Sequence, residues 1–373
     1  MQEDFHYYAT YCAAFISGYS HEESLDIAYS AQFVDVCSRT LLAKIKGPSQ
    51  AATTQLQLEL MDARTDLVGL QDITRIWSSF HFLPKDLYAK KEKRCGRRYL
   101  DKYRLICGPN GDLVVKTVEL AKDKPVQSAG IAMHVLADTW AHANFAGTPS
   151  LVINNTNYVF YELFPDGEGG YKETPIKFRH KTSTPDDLDN SIYTNSLYQR
   201  NERSIMNLGH GRAGHLPDYS FVRYKYLPAW GDYHEIIKDN PSDYVKAFTQ
   251  MIYAMKFIRG ENPSFVKDTY DTEAIKPWED RIKGIIEKRQ IVASEDWKAF
   301  GEELSGKTID DFAIDRYFDE YTGSPKDSKA DTFLGRFISG AIAHKGMVIS
   351  EIQKTNNRLA GIALTKIIEE AGL

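Results

Sequence analysis

Residues 134–145 read HVLADTWAHANF, which sets His134, Asp138 and His142 at intervals of four in an otherwise apolar stretch. No proline interrupts residues 127–145, and Ile131, Val135, Leu136 and Trp140 recur at near-helical spacing. On a helix, positions four apart drift by only about 40° per step, so the three side chains stack along two turns and can converge on one centre. Imidazole and carboxylate are ligands for divalent ions, so that centre could be a metal. A hydrogen-bonded or ion-paired His-Asp network would produce the same spacing, and spacing alone leaves both readings open.

Further His and Asp residues stand in stretches without ordinary surface character. His6 lies in DFHYY with Asp4 two residues before it; Asp35 follows the helical pattern AYSAQFV; His81 lies in SSFHFLP; His210, His215 and Asp218 lie in LGHGRAGHLPDY. Each has a local explanation taken singly: a satisfied core histidine, a cap before Pro84, or a helix-closing hydrogen bond. As a set they point to coordination, because an unpaired imidazole or carboxylate in apolar surroundings is costly and a metal is one of few remedies. His and Asp without an obvious Cys thiolate suit zinc, iron or manganese in a hydrolytic site better than a structural zinc knot. GHGRAG matches the letters of a dinucleotide fingerprint, but no clear strand precedes it and Pro217 interrupts any following helix. Its glycines are better read as letting a loop turn tightly so that His210 and His215 point inward. HExxH, an adjacent His-Asp dipeptide, GxSxG and the Walker loop do not occur.

These residues must be held by a scaffold, and the 373-residue chain is long enough to build one. It is 42% hydrophobic, 26% charged and 12% aromatic, the balance of a globular protein with a substantial core. A net charge of −5 gives no general case for nucleic-acid binding. One local exception is KKEKRCGRRYLDKYR, residues 90–104, which could meet phosphate-bearing surfaces or form a solvated face. No stretch approaches the roughly 18 apolar residues of a membrane span. Acidic residues at the start, and the lack of a continuous apolar segment there, lead us to expect a cytoplasmic protein without a signal peptide. The four cysteines are expected as free thiols, with a Cys95–Cys107 bridge as the alternative.

The patterns describe a mainly α protein. HEESLDIAYSAQFVDV is amphipathic, with acidic residues in its first turn; residues 51–77 suit a helix or part of a sheet; DLVVKTVEL suits a strand or a helix start. From about 148 to 233 Gly, Pro and Asn clusters indicate a loop-rich insertion, with a strand at YVFYELF and a turn at DGEGG. Helical patterns return in DYVKAFTQMIYAMKFI, WEDRIKGIIEK, SEDWKAFGEEL and a run from about 330 to 371. The expected organisation is a metal-binding domain over 1–260 that contains the insertion, followed by a helical extension or subdomain over 261–373.

In this order the motifs resemble the zinc-dependent phospholipase C and P1 nuclease superfamily. More closely, DFHYY, SAQFVD, FHFLP, HVLADTWAHANFAG and GHLPD resemble an uncharacterised bacterial domain-of-unknown-function family, a distant branch of that fold, over roughly residues 1–235. The resemblance implies a helical core whose cleft holds two or three zinc ions and hydrolyses phosphoesters with metal-activated water. Carried over by position, His6, Asp35, His81, His134 and Asp138 would hold two metals, with Asp138 bridging them. His142, His215 and either His210 or Asp218 would hold the third, and Asp35 could alternatively act as the base. Superfamily enzymes are generally exported and use the amino group freed by signal cleavage as a ligand; here Asp4 could replace it.

The expected function is therefore a metal-dependent phosphoesterase acting on a small-molecule or other phosphoester substrate. For a nucleotide substrate, Tyr158, Phe160 and Tyr161 are available for stacking. Two alternatives stay open: another metal-centred reaction, such as amide hydrolysis or iron-dependent oxidation, and a structural metal in a protein whose C-terminal helices bind a partner.

Overall fold

The computed structural model describes residues 1–157, 159–179, 184–195 and 208–361. Among them the chain forms fourteen α-helices and a small β region, so the protein is mainly helical. A π-helical turn, Asp4–Ala9, opens the fold and leads into α1 (Thr10–Ile16). Helix α2 (His21–Val36) begins at a capping box: the Ser20 hydroxyl accepts from the Glu23 N–H while the Glu23 carboxylate accepts from the Ser20 N–H. Next come α3 (Arg39–Lys44), α4 (Gln57–Ala63) and α5 (Leu67–Phe80). The stretch read as helix or sheet is thus two helices, separated where the Asp66 carboxylate accepts from the Gly69 N–H and starts α5 afresh.

After α6 (Arg97–Tyr103), DLVVKTVEL resolves as helix α7 (Asp112–Ala121). Helix α8 (Val126–Ala141) carries the HxxxDxxxH motif, and His142 is its C-terminal cap. Every residue of α8 from Ala129 to Ala141 is buried, with α2, α7, α10 (Asn240–Ile258) and α14 (Phe333–Lys354) packed around it. A helix enclosed on all sides has no face to give to water, so its polar side chains must find partners inside the protein.

The loop-rich stretch holds more strand than its sequence suggests. Beyond the short helix α9 (Leu151–Asn154), strands β1 (Tyr161–Pro165), β2 (Tyr171–Pro175), β5 (Arg223–Tyr226) and β6 (Ile236–Asp239) form an antiparallel sheet in the order β2-β1-β5-β6. Strands β3 (Lys177–Arg179) and β4 (Ile192–Thr194) pair in parallel. Strands of three to five residues are too short to show a period in the sequence. Phe82, Phe145, Tyr224 and Tyr226 form a second apolar cluster that joins this region to the helical body.

Beyond residue 260 lie α11 (Glu279–Glu287), α12 (Ser294–Ser305), α13 (Phe318–Gly323) and α14; residues 362–371 of the expected final helix are outside the described residues. These helices contribute to the same core as the first half of the chain. Trp297 meets Phe5 edge-on at 6.1 Å and Phe337 meets Phe33 at 5.0 Å. Cys12, Cys37, Cys95 and Cys107 are all free.

Gly130 sets how closely α8 approaches α2. A Cβ at this position would stand 2.4 Å from the Ile27 carbonyl oxygen and 2.5 Å from Ser30 Cβ, so only glycine allows the two backbones to touch. That contact holds the end of α2, with Asp35, beside the polar face of α8. Gly130→Ala is expected to destabilise the protein by about 1–3 kcal/mol in chemical denaturation, because a backbone must move. Gly284→Ala, on exposed α11 with no atom within 4 Å of the added Cβ, should instead be neutral or stabilising by about 0.5–1 kcal/mol. Equal effects at the two positions would refute the close-contact argument.

Candidate metal centre

Asp138 is 1% exposed and stands where side chains from five parts of the chain meet. Its Oδ1 is 3.1 Å from His6 Nε2, and its Oδ2 is 3.2 Å from His134 Nε2 and 3.3 Å from His81 Nδ1. His6 arrives on the π-helical turn and stacks its ring on His134 at 3.9 Å; His81 arrives at the cap that ends α5. Asp35, in the last turn of α2, lies 3.8 Å from His81 Nδ1 and 4.0 Å from His134 Nε2. Its side chain is 30% exposed and marks the side on which this cluster meets solvent.

One helical turn along α8, His142 Nε2 lies 3.2 Å from Asp218 Oδ1, and His210 Nε2 lies 3.8 Å from Asp218 Oδ2. His210 and Asp218 come from two 3₁₀ turns, Gly211–Ala213 and Leu216–Asp218, and their bordering residues. Gly209 and Gly214 both hold positive φ there, and a Cβ on Gly209 would strike the Phe82 ring that stacks on His142. The glycines of GHGRAG therefore serve the backbone turn.

Among the described residues three groupings with metal-ligand spacing result: His6, His134 and Asp138; Asp35, His81 and His134; His142, His210 and Asp218. Tetrahedral coordination at bond lengths of about 2.0–2.1 Å places ligand atoms about 3.3–3.4 Å apart. The separations of 3.1–3.3 Å around Asp138 lie close to that value.

The hydrogen bonds on the far sides of the rings are more telling. His81 donates its Nε2–H to the Thr53 carbonyl (3.0 Å), His142 its Nδ1–H to the His81 carbonyl (2.7 Å), and His210 its Nδ1–H to the Gly214 carbonyl (2.7 Å). In the neutral rings the remaining nitrogen is a lone pair, and in each case it faces a carboxylate oxygen. At His81 and His210 acceptor then faces acceptor, an arrangement that a cation between them resolves, while at His142 the Met1 ammonium, 3.2 Å from Nε2, already stands as the cation; one ring nitrogen anchored to a carbonyl is the usual support of a ligating histidine. His6 Nδ1 and His134 Nδ1 are buried without a hydrogen-bond partner among the described residues.

The charges agree with this arrangement. Burial pushes the pKa values of His6, His134 and His210 down to about 4, which keeps these rings neutral and able to bind a metal near neutrality. Burial opposes ionisation of Asp138, yet His142, the Met1 amino group, His134 and His6 hold its carboxyl well below the usual range. Asp218 is likewise held low against burial by His210 and the Met1 amino group. Asp35 is pushed up, chiefly by withdrawal from water. The Met1 ammonium donates to Asp138 Oδ1 at 2.7 Å and lies 3.4 Å from Asp218 Oδ1. Burial would lower its pKa, but Asp138, Asp218 and Asp35 raise it to about 11. A positive charge thus already stands between the two buried carboxylates.

Eight of the ten residues singled out in the sequence fall into these groupings, and two stand outside them. Asp4 turns away, and its carboxylate accepts from the Ala293 N–H at 2.9 Å. His215 is 54% exposed and holds Asp218 Oδ2 through Nδ1 at 3.2 Å, a bond that raises its own pKa; it braces Asp218 from outside. The third grouping takes both His210 and Asp218, where the sequence left one or the other. The place considered for either the terminal amino group or Asp4 has the Met1 amino group at it, and the carbonyls of Thr53 and Gly214 were missed, since backbone groups carry no side-chain signature.

Of the aromatics considered for stacking, Phe160 is buried against Phe178 and Tyr226, Tyr161 underlies Lys225, and Tyr158 lies outside the described residues. In the basic run, Lys91 is taken up by Asp232 and the Trp230 carbonyl, and Arg104 by the Ala89 carbonyl. No helix among the described residues is long and apolar enough to cross a membrane.

A family model described as a family of unknown function, DUF6765, matches residues 1–352. No curated protein and no solved structure matches the chain.

The buried imidazoles predict a pH signature for the chelator-stripped protein. Rings that stay neutral to about 4 in the fold, but take a proton near 6.5 when unfolded, bind fewer protons folded than unfolded between those values. Stability is therefore present above about pH 6.5 and drains away as pH falls toward about 4. Thermal unfolding of the stripped protein should show that decline, and a midpoint that stays level across the window would contradict the burial of neutral rings.

Proposed function

The chain belongs to DUF6765, a family of unknown function, and from its site we propose that it is a metal-dependent hydrolase, a phosphoesterase with a di- or trinuclear zinc-type centre. The observation that carries this reading is the convergence of imidazole lone pairs on buried Asp138 and Asp218, with the opposite ring nitrogens of His81, His142 and His210 fixed to carbonyls. His6, Asp35, His81, His134 and Asp138 would hold two ions, with Asp138 shared; His142, His210 and Asp218 would hold a third. Divalent ions there would supply Lewis acidity, acidifying water and neutralising phosphoryl oxygens.

The chain's own residues then have separable tasks. Asp138 offers one oxygen to His6's side of the cluster and the other to that of His81 and His134, so it can bridge. Alternatively, Asp35, with its raised pKa and partial exposure, would act as the base at the solvent edge instead of as a ligand. That open edge favours catalysis over a structural metal, whose coordination would be closed. His215 keeps Asp218 oriented.

Elemental mass spectrometry on protein purified without an affinity tag or added metal tests the reading. Two or three zinc ions per chain are expected, with hydrolysis of bis(p-nitrophenyl) phosphate that is lost on chelation and regained with zinc. His134→Ala and Asp138→Asn should each lose bound metal and lower turnover by about 100-fold or more, whereas His344→Ala should keep its metal. Iron in place of zinc would redirect the assignment to oxidation, and equal metal content in all four proteins would overturn the ligand set.

A further inference from the structure

Helices α4 and α5 lean on each other through Leu60, Ala63 and Ile73, a small apolar cluster apart from the main core. Their outer surface is apolar as well: Leu58, Leu67 and Val68 are 78, 70 and 68% exposed, and Leu56 and Met61 are exposed beside them. Single exposed apolar residues are common, but five between residues 56 and 68, on two helices in contact, make a patch of the kind that marks an interaction surface. The patch follows directly on Thr53, whose carbonyl holds His81, and on Gln55, whose Oε1 accepts from the Trp77 Nε1–H.

The chain itself returns to this face. Ala360 is buried, and its carbonyl accepts from the Arg75 Nε–H at 2.7 Å. Gly361 lies so close to α5 that a Cβ there would stand 2.2 Å from Arg75 Nη2 and 3.4 Å from Gln71 Oε1. Gln71 and Arg75 are four apart on α5, Val68 is three before Gln71 and Leu67 four before it, so all four share one side of the helix. Residue 361 is thus delivered about one turn, roughly 5 Å, from the exposed apolar pair.

Residues 362–373, outside the described residues, follow and read IALTKIIEEAGL. Leu364, Ile367, Ile368 and Ala371 recur at i, i+3, i+4 and i+7, with Thr365, Lys366, Glu369 and Glu370 between them, the sequence pattern of a helix apolar on one side. As a helix the segment would span about 18 Å, enough to cover the first turn of α5 and the length of α4.

We propose that the apolar face of α4 and α5 is the docking surface for residues 362–373 of the same chain. Leu364 meets Val68 and Leu67, and Ile367 and Ile368 continue toward Leu58 and Met61. Charge favours this occupant over an anionic bilayer: Glu59, Asp62 and Asp66 stand around the patch against a single Arg64, whereas bilayers of that kind attract basic surfaces. The segment brings Lys366 for the acidic rim and Glu369 and Glu370 for Arg64.

Disulfide trapping in the full chain tests this, with Cys95→Ser removing the one cysteine that is not buried. Under mild oxidation Val68→Cys/Leu364→Cys should close within one chain several-fold faster than Val68→Cys/Lys366→Cys, which puts the second thiol on the opposite side of the segment. Adding Ile367→Asp/Ile368→Asp should slow the first pair to the rate of the second. In the otherwise native chain, the same two aspartates should speed amide exchange across residues 57–68 and leave metal content and far-UV circular dichroism unchanged. Equal closure rates, a bond that joins two chains, or amide protection of residues 57–68 that appears only with phosphatidylglycerol vesicles would overturn the proposal, the second in favour of a second copy and the third in favour of a membrane. All the positions changed on α4 and α5 are exposed, and the exchange measurement leaves both helices unaltered, so loss of folding cannot imitate the expected result.

Discussion

The burial of Asp138 governs the arrangement of the rest of the protein. A carboxylate withdrawn from water must be compensated, and here the Met1 ammonium, 2.7 Å from Oδ1, brings the opposite charge that helps hold it ionised against the cost of burial. Such a group cannot sit at the end of a loosely packed element. It sits instead on a helix enclosed by four others, near the place where a glycine brings α2 into backbone contact. The π-helical turn at the start of the chain, the cap of α5 and the paired 3₁₀ turns each bring one or two side chains to that point.

What could be read in advance followed from period. His134, Asp138 and His142 share a helix face, and α2, His21–Val36, has the extent read from the sequence, since both signals are local; its amphipathic reading fails, because residues 27–34 are all buried. What could not be read follows from distance along the chain and from backbone direction. Asp4 lies two residues from His6, yet its partner is the peptide N–H of Ala293, and nothing near Asp4 announces that contact. The pairing of His142 with both His210 and Asp218, where the sequence took His215 and one of the two, goes with positive φ at Gly209 and Gly214, which a list of letters does not contain. Phe160, inside the stretch read as a strand, stands immediately before β1 and is buried against Phe178 and Tyr226, a long-range packing that leaves it unavailable to a substrate.

The family match to residues 1–352 extends well past the roughly 1–235 that carry the sequence motifs. The structure gives that extension a physical meaning. Trp297 packs against Phe5, the neighbour of His6; Ala293 holds Asp4; and α14 lies along α8. The helices beyond 260 therefore support the segments that carry the cluster, even though they add no residue to the three groupings among the described residues.

His81 faces the two clusters in two different ways. Its ring points at Asp138 and His134, while its own carbonyl takes the N–H of His142 and so sets the direction in which that ring offers its lone pair. One peptide unit therefore serves as a hinge pin common to both halves of the centre. A shift of the chain at this residue moves a donor in one half and rotates a donor in the other, so the two halves cannot be adjusted separately by changes at the end of α5. Any redesign of one half has to leave the backbone at residue 81 where it is, or rebuild both.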